Sequence, residues 1–427
     1  MHVTLFLYFF LIFFRSSLAA TTEDEPDDDD CLINIVRDLS RSEPLLLSTD
    51  SPPQFLYPDP MEPRTVRLDD NQHFRVVCGV DSLYVSCQDA KFYINSGKIR
   101  FRMRAINCGR HSSKHMLRPL KASCPTNVLC YQVGFQLNIF DFVPTIDLIY
   151  VNEVRLRPLW AHITILPIIG HRQRRGENDD YEEGELFSGS ISAPMEEIFD
   201  RDYQRTRFAK ILGSQELAEK YITEKASSIF QLFSSLLRVK EGLAGGEHLV
   251  RGQLIDNDDL FYKPQQDTVH YYANVAPVWR SIASGNWQIA GEMIRKAATD
   301  SRSKIELWAG TMRTMELEDS KGVKRQIYMA YNTTTITEVV PVPRLLFKYA
   351  YDREHNRGVV IITVNDPFIK KPRPEHIICP EQELCQRLHS SFTVLELGYT
   401  YCCTLADFAK TAKLRGLPAF PNAQSLF

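Results

Sequence analysis

After its first 20 residues the chain of 427 has no apolar run approaching membrane-spanning length, which excludes a polytopic membrane protein. The opening run, residues 3–14, is itself too short to cross a bilayer comfortably, and only His2 precedes it in place of the usual basic residues. Its position ahead of Ser17-Leu-Ala-Ala20 predicts a secretory signal over 1–20, with an uncleaved anchor as the alternative. No Cys-x-x-Cys pair meets a second pair or a His pair, so the ten cysteines form no zinc-site pattern. There is no internal repeat, and only one N-glycosylation sequon, Asn332-Thr-Thr334. Net charge is also scarce, at −3, but that small number conceals a division.

Residues 23–30 hold seven carboxylates and residues 177–185 hold six. Acidic blocks of this kind remain solvated. Setting them and the signal segment aside leaves the rest of the chain at about +9. A basic body suits a polyanion partner. The cysteines are even in number and fall in two clusters, six from Cys31 to Cys130 and four from Cys379 to Cys403. Behind a signal segment they predict disulfides in two separately stapled regions and an extracellular location. The pairing stays open, because six cysteines allow 15 arrangements.

Residues 31–168 alternate short β-rich runs with turns (74–77, 83–86, 98–104, 128–139, 148–154) and predict a disulfide-rich, mainly β domain after an acidic tail over 21–30. Residues 169–187 read as a charged linker. Within it Arg172-Gln-Arg-Arg175 matches a furin-type processing site, the plainer reading being a solvated linker. From residue 188 to 427 the pattern becomes α+β. Helical spacing covers 208–225, interrupted at Gly213 and Ser214, and 229–243. Candidate strands at 248–254 and 269–275 lead to a helix over 287–298, and further strands follow at 304–309, 326–330, 344–351 and 358–364.

Val250-Arg-Gly-Gln253, then Asn274-Val-Ala-Pro-Val-Trp279 and Ala283-Ser-Gly-Asn-Trp287, carry a specific pattern. Together they resemble the active-site core of the secreted DNA/RNA non-specific endonucleases of arthropods, whose motifs read Arg-Gly-His, Asn-Val-Ala-Pro-Gln-Trp and Asn-x-Gly-Asn-Trp. The resemblance covers roughly 199–366 and implies a ββα-metal core that uses Mg2+ against DNA and RNA.

Measured against that family, three positions have departed. Gln253 stands where the family has its general-base His, and an amide cannot accept a water's proton near neutral pH. Ala283 stands at the metal-ligand Asn, and a methyl cannot coordinate Mg2+. Asn286 or the Asp256/Asp258/Asp259 group could offer oxygens instead. Gly291 occupies the acidic position one turn past Trp287, and neighbouring Glu292 is rotated by about 100° on a helix. By contrast, Arg251, Asn274 and Arg295 match the family's substrate-side positions, with Arg201 a weaker match. Structural ion pairs are the alternative employment for Arg251 and Arg295. His248 and His270 are placed as surface histidines rather than substitutes for the missing base.

A second basic surface is expected where Arg100, Arg102 and Arg104 alternate with apolar Ile99, Phe101 and Met103. Eight basic and no acidic residues lie between Lys98 and Lys121, which favours phosphate contacts. The expected protein is therefore a secreted, sequence-independent DNA- and RNA-binding member of the family with little or no hydrolysis, resembling its degenerate insect salivary members of Tsal type. The alternatives are a working Mg2+ endonuclease with a rearranged site and a nuclease fold that binds a protein. On the sequence alone, Gln253→His with Ala283→Asn and Gly291→Glu should restore cleavage, since base and metal act as a unit.

Overall fold

The computed structural model describes residues 31–39, 44–79, 81–94, 98–108, 113–120, 124–173, 180–187, 189, 191–224, 246–380 and 383–427. The expected signal segment, the acidic tail, the helix over 229–243, and Arg174 and Arg175 of the furin-type motif lie outside them. Arg172, which is described, pairs with Asp258 at 2.7 Å.

The chain divides into two compact units. One comprises the described residues up to His115 together with Phe135–Val143; the other comprises Met116–Gly134 and Pro144–Phe427. The boundary thus falls well before the 169–187 segment. Strands expected in the N-terminal domain belong instead to the large sheet of the second unit. Their continuous apolar character explains this, since a strand buried on both faces reads alike in either context.

In the first unit, β1 (Cys31–Asn34) pairs with β3 (Thr65–Leu68), and a five-stranded sheet runs β2 (Leu45–Ser48), β4 (His73–Cys78), β5 (Asp81–Gln88), β6 (Lys91–Ile94), β7 (Ile99–Phe101). Disulfides Cys31–Cys87 and Cys78–Cys108 staple it. The expected strand over 98–104 stops at Phe101, and Met103–Ala105 turns as a 3-10 helix. Phe101 and Met103 are buried as expected from alternation, but Ile99 is exposed. Arg100, Arg102 and Arg104 are all exposed.

The second unit is built on a sheet ordered β21 (Thr400–Cys403), β20 (Arg357–Val364), β19 (Pro343–Asp352), β14 (Ile305–Thr314), β11 (Arg157–Ile165), β10 (Phe142–Asn152), β9 (Val128–Gln136), β8 (His115–Pro119). Alternation on β19 sends Leu345, Phe347, Tyr349 and Tyr351 to one apolar layer, and Leu346 and Ala350 to the other. The second layer also contains Ala290, Ile294 and Ala298 of the long helix α1 (Asn286–Ser301). Lys348 shares the face of Leu346 and Ala350, and is therefore an ammonium beneath a helix. The remaining disulfides, Cys124–Cys130, Cys379–Cys403 and Cys385–Cys402, lie in this unit. No described helix is long and apolar enough to cross a membrane.

The helix expected over 208–225 is two helices, Arg201–Leu212 and Gln215–Tyr221. Gly213 adopts φ 65° and Ser214 caps the second helix through Leu217 N–H. The breaks seen in the sequence are a C-cap and an N-cap side by side.

Candidate nucleic-acid interface

A two-stranded ribbon joins β12 (Leu249–Gln253) to β13 (Val275–Trp279), with Arg251 opposite Pro277 and Gln253 opposite Val275. Gly252 is required there, because a Cβ would overlap the Val278 side chain across the ribbon. The expected strand over 269–275 is instead a loop and a 3-10 turn, Tyr272–Asn274, leading into β13. Asn274 sets that geometry. Its Oδ1 accepts from Ile255 N–H at 3.0 Å, and its Nδ2 donates to the carbonyls of Ile255 and Val269 at 2.8 and 3.0 Å. It is completely buried. The side chain expected on the substrate side is spent on holding the loop.

α1 is tied to the ribbon and to the C-terminal segment. Trp287 Nε1–H donates to the carbonyl of Gln253 at 2.9 Å. Buried Asn286 donates to the carbonyls of Ser391 and Gly398 and accepts from the Ser391 hydroxyl. Asn286 is thereby fixed as a structural residue and offers no ligand oxygen. Strand, loop, strand and helix form the ββα unit. They enclose a pocket of about 110 Å3 lined by Arg251, Gly252, Gln253, Asp256, Ala283, Trp287, Gln288, Gly291, Arg295 and Lys348. The three departed positions, Gln253, Ala283 and Gly291, converge on it with Arg251 and Arg295.

The two arginines are held very differently. The Arg251 guanidinium lies 5.2, 5.4 and 5.9 Å from the ring centres of Tyr181, Phe199 and Tyr272, and its Nε donates to the Tyr272 hydroxyl at 3.1 Å. No described carboxylate pairs with it. Rings orient a guanidinium without neutralising it. Buried Arg295 instead meets Asp259 at 2.6 Å, and the Asp259 side chain is fully enclosed. Burial opposes the Arg295 charge, but Asp259 and then Asp256 outweigh it and raise its pKa. Structural pairing, the alternative held open from sequence, describes Arg295 and not Arg251.

Lys348 is the pocket residue that the sequence reading missed. It is 2 % exposed, its Nζ donates to the Leu254 carbonyl at 3.4 Å, and it lies 4.2 Å from the Trp287 ring centre. Burial lowers its pKa, an effect opposed by Asp259 and Asp256 and reinforced by Arg295. Its signal was a lone lysine in the run Leu345-Leu-Phe-Lys-Tyr-Ala-Tyr351. A lysine in a strand buried on both faces is rare unless its charge has an assignment. Asp256 has a carboxyl raised chiefly by burial, against the pull of Arg295, and it accepts from Asp258 N–H.

The aromatic cage had no comparable signal. Tyr181 arrives from the supposed linker, where Glu182 exchanges backbone hydrogen bonds with His270 and Tyr272. That acidic segment is thus folded from residue 180 to 187 rather than solvated throughout.

Other expected site residues lie elsewhere. Arg201 pairs with Glu224 at 3.3 Å and does not line the pocket. Arg104 pairs with Asp38 at 3.1 Å, leaving Arg100 and Arg102 as the arginines of that face with no carboxylate partner among the described residues. Glu292 is exposed and accepts from Gln288. His248 is half-buried, with a pKa pushed down to about 4 by burial. His270 is buried, not on the surface, with Nδ1 at 3.1 Å from the Asp267 carbonyl. Neither histidine lines the pocket.

The donor set does not fit Mg2+. That ion demands octahedral oxygen ligands, and the pocket presents an amide, a methyl, a glycine, a single carboxylate engaged as a cap, and an ammonium. Among the described residues no group of three or more His, Cys, Asp or Glu could hold a metal.

The family model for DNA/RNA non-specific endonucleases matches residues 129–408, and the chain belongs to that family. It is similar to salivary protein Tsal2A of Glossina morsitans morsitans, at 22% identity over 91% of this chain and 92% of the relative. Similarity to Tsal1 of the same fly is 24% over 44% of this chain and 48% of that one. A salivary endonuclease of Lutzomyia longipalpis matches at 26% over 39% of each chain.

Proposed function

We propose that this protein binds DNA and RNA without sequence preference and without a metal, and that its phosphodiester hydrolysis is feeble or lost. The observation that carries the reading is Arg251. Its guanidinium is fixed by three rings, with no described carboxylate paired to it, at a pocket where Gln253 and Ala283 stand in place of the base and the metal ligand. Loss of general-base assistance alone is worth about 10²–10⁴ in rate. Arg100 and Arg102 add exposed charge for further backbone contacts. Five disulfides and salivary relatives support a secreted location.

The test is a gel shift with duplex DNA and with RNA in EDTA at two salt concentrations, beside a cleavage assay with Mg2+. Binding in EDTA that weakens steeply with salt is expected for backbone contacts. Absence of any shift, or vigorous cleavage that EDTA abolishes, overturns the reading.

A further inference from the structure

Three cations border the pocket, and two of them have assignments: Arg251 in its cage and Arg295 on Asp259. Lys348 has none. An ammonium carries three N–H donors; the Leu254 carbonyl takes one and the Trp287 ring face engages another. No described carboxylate forms an ion pair with it. Burying an ammonium in this way is costly when no anion meets it, and a methionine would fill the same space without that cost.

Gly291 lines the pocket beside Lys348. A Cβ at that position would lie 3.2 Å from Arg295 Nη1, and 3.5 and 3.6 Å from Lys348 Cε and Nζ. A side chain there would crowd both cations where they border the pocket. Close by, the Gln253 Nε2 is buried without a hydrogen-bond partner, another donor lacking an acceptor. An ammonium, an uncompensated guanidinium and an amide N–H2 converge on a space of about 110 Å3. That is well below the roughly 300 Å3 at which drug-sized ligands begin to fit. A small group with only acceptor oxygens fits this description.

We infer that the pocket seats a backbone phosphate of the bound nucleic acid, with the Lys348 ammonium meeting a phosphate oxygen through the gap left by Gly291, in the space where an active relative would need a metal. The inference rests on the nucleic-acid reading above and assigns its anchoring group. Asp256 is the one carboxylate lining the space, and it is turned to cap Asp258 N–H. The same site explains two losses together: a metal ligand is not needed where a fixed ammonium stands, and an acidic side chain at 291 would neutralise it.

The test measures binding of duplex DNA in EDTA by fluorescence anisotropy over a salt series, for the full disulfide-bonded protein and for Lys348→Met and Gly291→Ala. Lys348→Met should weaken binding about tenfold and reduce the salt slope by about one, as for one lost phosphate contact. Gly291→Ala keeps the charge but covers it, and should give the same loss of slope. Thermal unfolding checks that each variant is folded; if Lys348→Met fails to fold, Gly291→Ala decides alone. Wild-type affinity and slope in a folded variant overturn the inference while leaving nucleic-acid binding intact. Absence of binding by wild type overturns both readings. Millimolar Mg2+ that tightens wild-type binding places a metal in the pocket and also overturns it. Competition by inorganic phosphate that is equal in wild type and Lys348→Met locates the phosphate elsewhere and does the same.

Discussion

Arg251 and Arg295 stand on the same pocket, come from the same motif region and have the same side chain, yet their surroundings give them opposite work. The Arg251 rim is walled by Tyr181, Phe199 and Tyr272, which fix the guanidinium, and no described carboxylate compensates its charge. The Arg295 floor is closed by Asp259 at 2.6 Å. A buried pair of that kind cannot release its cation to a ligand without stranding a carboxylate. The counter-group therefore decides whether an arginine's charge is already spent within the fold or stays open to an anion.

The hardest way to break the comparison is to rebuild the lost chemistry. Gln253→His, Ala283→Asn and Gly291→Glu together should stay inactive, contrary to the sequence-based expectation, because a Cβ at 291 would lie 3.6 Å from Lys348 Nζ and the new carboxylate would have that cation within reach. Adding Lys348→Met to the triple variant should raise Mg2+-dependent cleavage by about 10²–10⁴, the range of a restored general base. Cleavage of a supercoiled plasmid measures it, and activity in the triple variant alone would show that Lys348 does not block the site.

Next in size, Arg295→Ala should destabilise the protein by about 3–5 kcal/mol, since it leaves Asp259 buried and unpaired. Urea unfolding reads this, and Arg295→Met with Asp259→Leu should recover much of the loss. A wild-type unfolding midpoint for Arg295→Ala would remove the structural role assigned to it.

Arg251→Gln should do the converse. We expect the unfolding midpoint to move little, because no ion pair is broken, while affinity for DNA and RNA falls about tenfold, as for a lost phosphate contact. If stability falls and binding does not, the two arginines have been assigned the wrong way round.

The smallest effect should come from the first unit. Arg100→Gln with Arg102→Gln should lower the salt slope of binding by at most about two, one for each unpaired guanidinium. Adding Arg104→Gln should change binding no further, because Arg104 is engaged by Asp38. An additional drop on changing Arg104 would show that this pair opens on binding.

Much of the architecture was legible because it depends on local chemistry. The ββα order followed from Arg251-Gly-Gln253, from Asn274 to Trp279 and from the Gly285-Asn286 helix start, and each of these sets a turn, a close approach or a cap. Disulfide formation followed from an even cysteine count, although the five pairings did not. Other expectations failed where distant segments decide. Asn274 looked like a substrate contact, but its amide is consumed by Ile255 and Val269. The 169–187 linker looked solvated, but it delivers Tyr181 to Arg251. The N-terminal boundary differs because β11 pairs with β14, far along the chain, and brings β9 and β10 into the same sheet.

By itself, the sequence determined that Gln253 cannot take a proton near neutral pH, that Ala283 cannot coordinate an ion and that Gly291 carries no carboxylate, because each is a property of the side chain's own atoms. It also determined which arginines remain. Only the tertiary structure decided which of those arginines has a counter-charge, that Asn274 is spent on the loop, and that Lys348 rises from a strand to meet the gap at Gly291. Charge compensation and burial depend on what lies within a few ångströms in space: Gly291 and Arg295 share one helix face, but Lys348 reaches them only from β19 and Asp259 only from the 3-10 turn Asn257–Asp259.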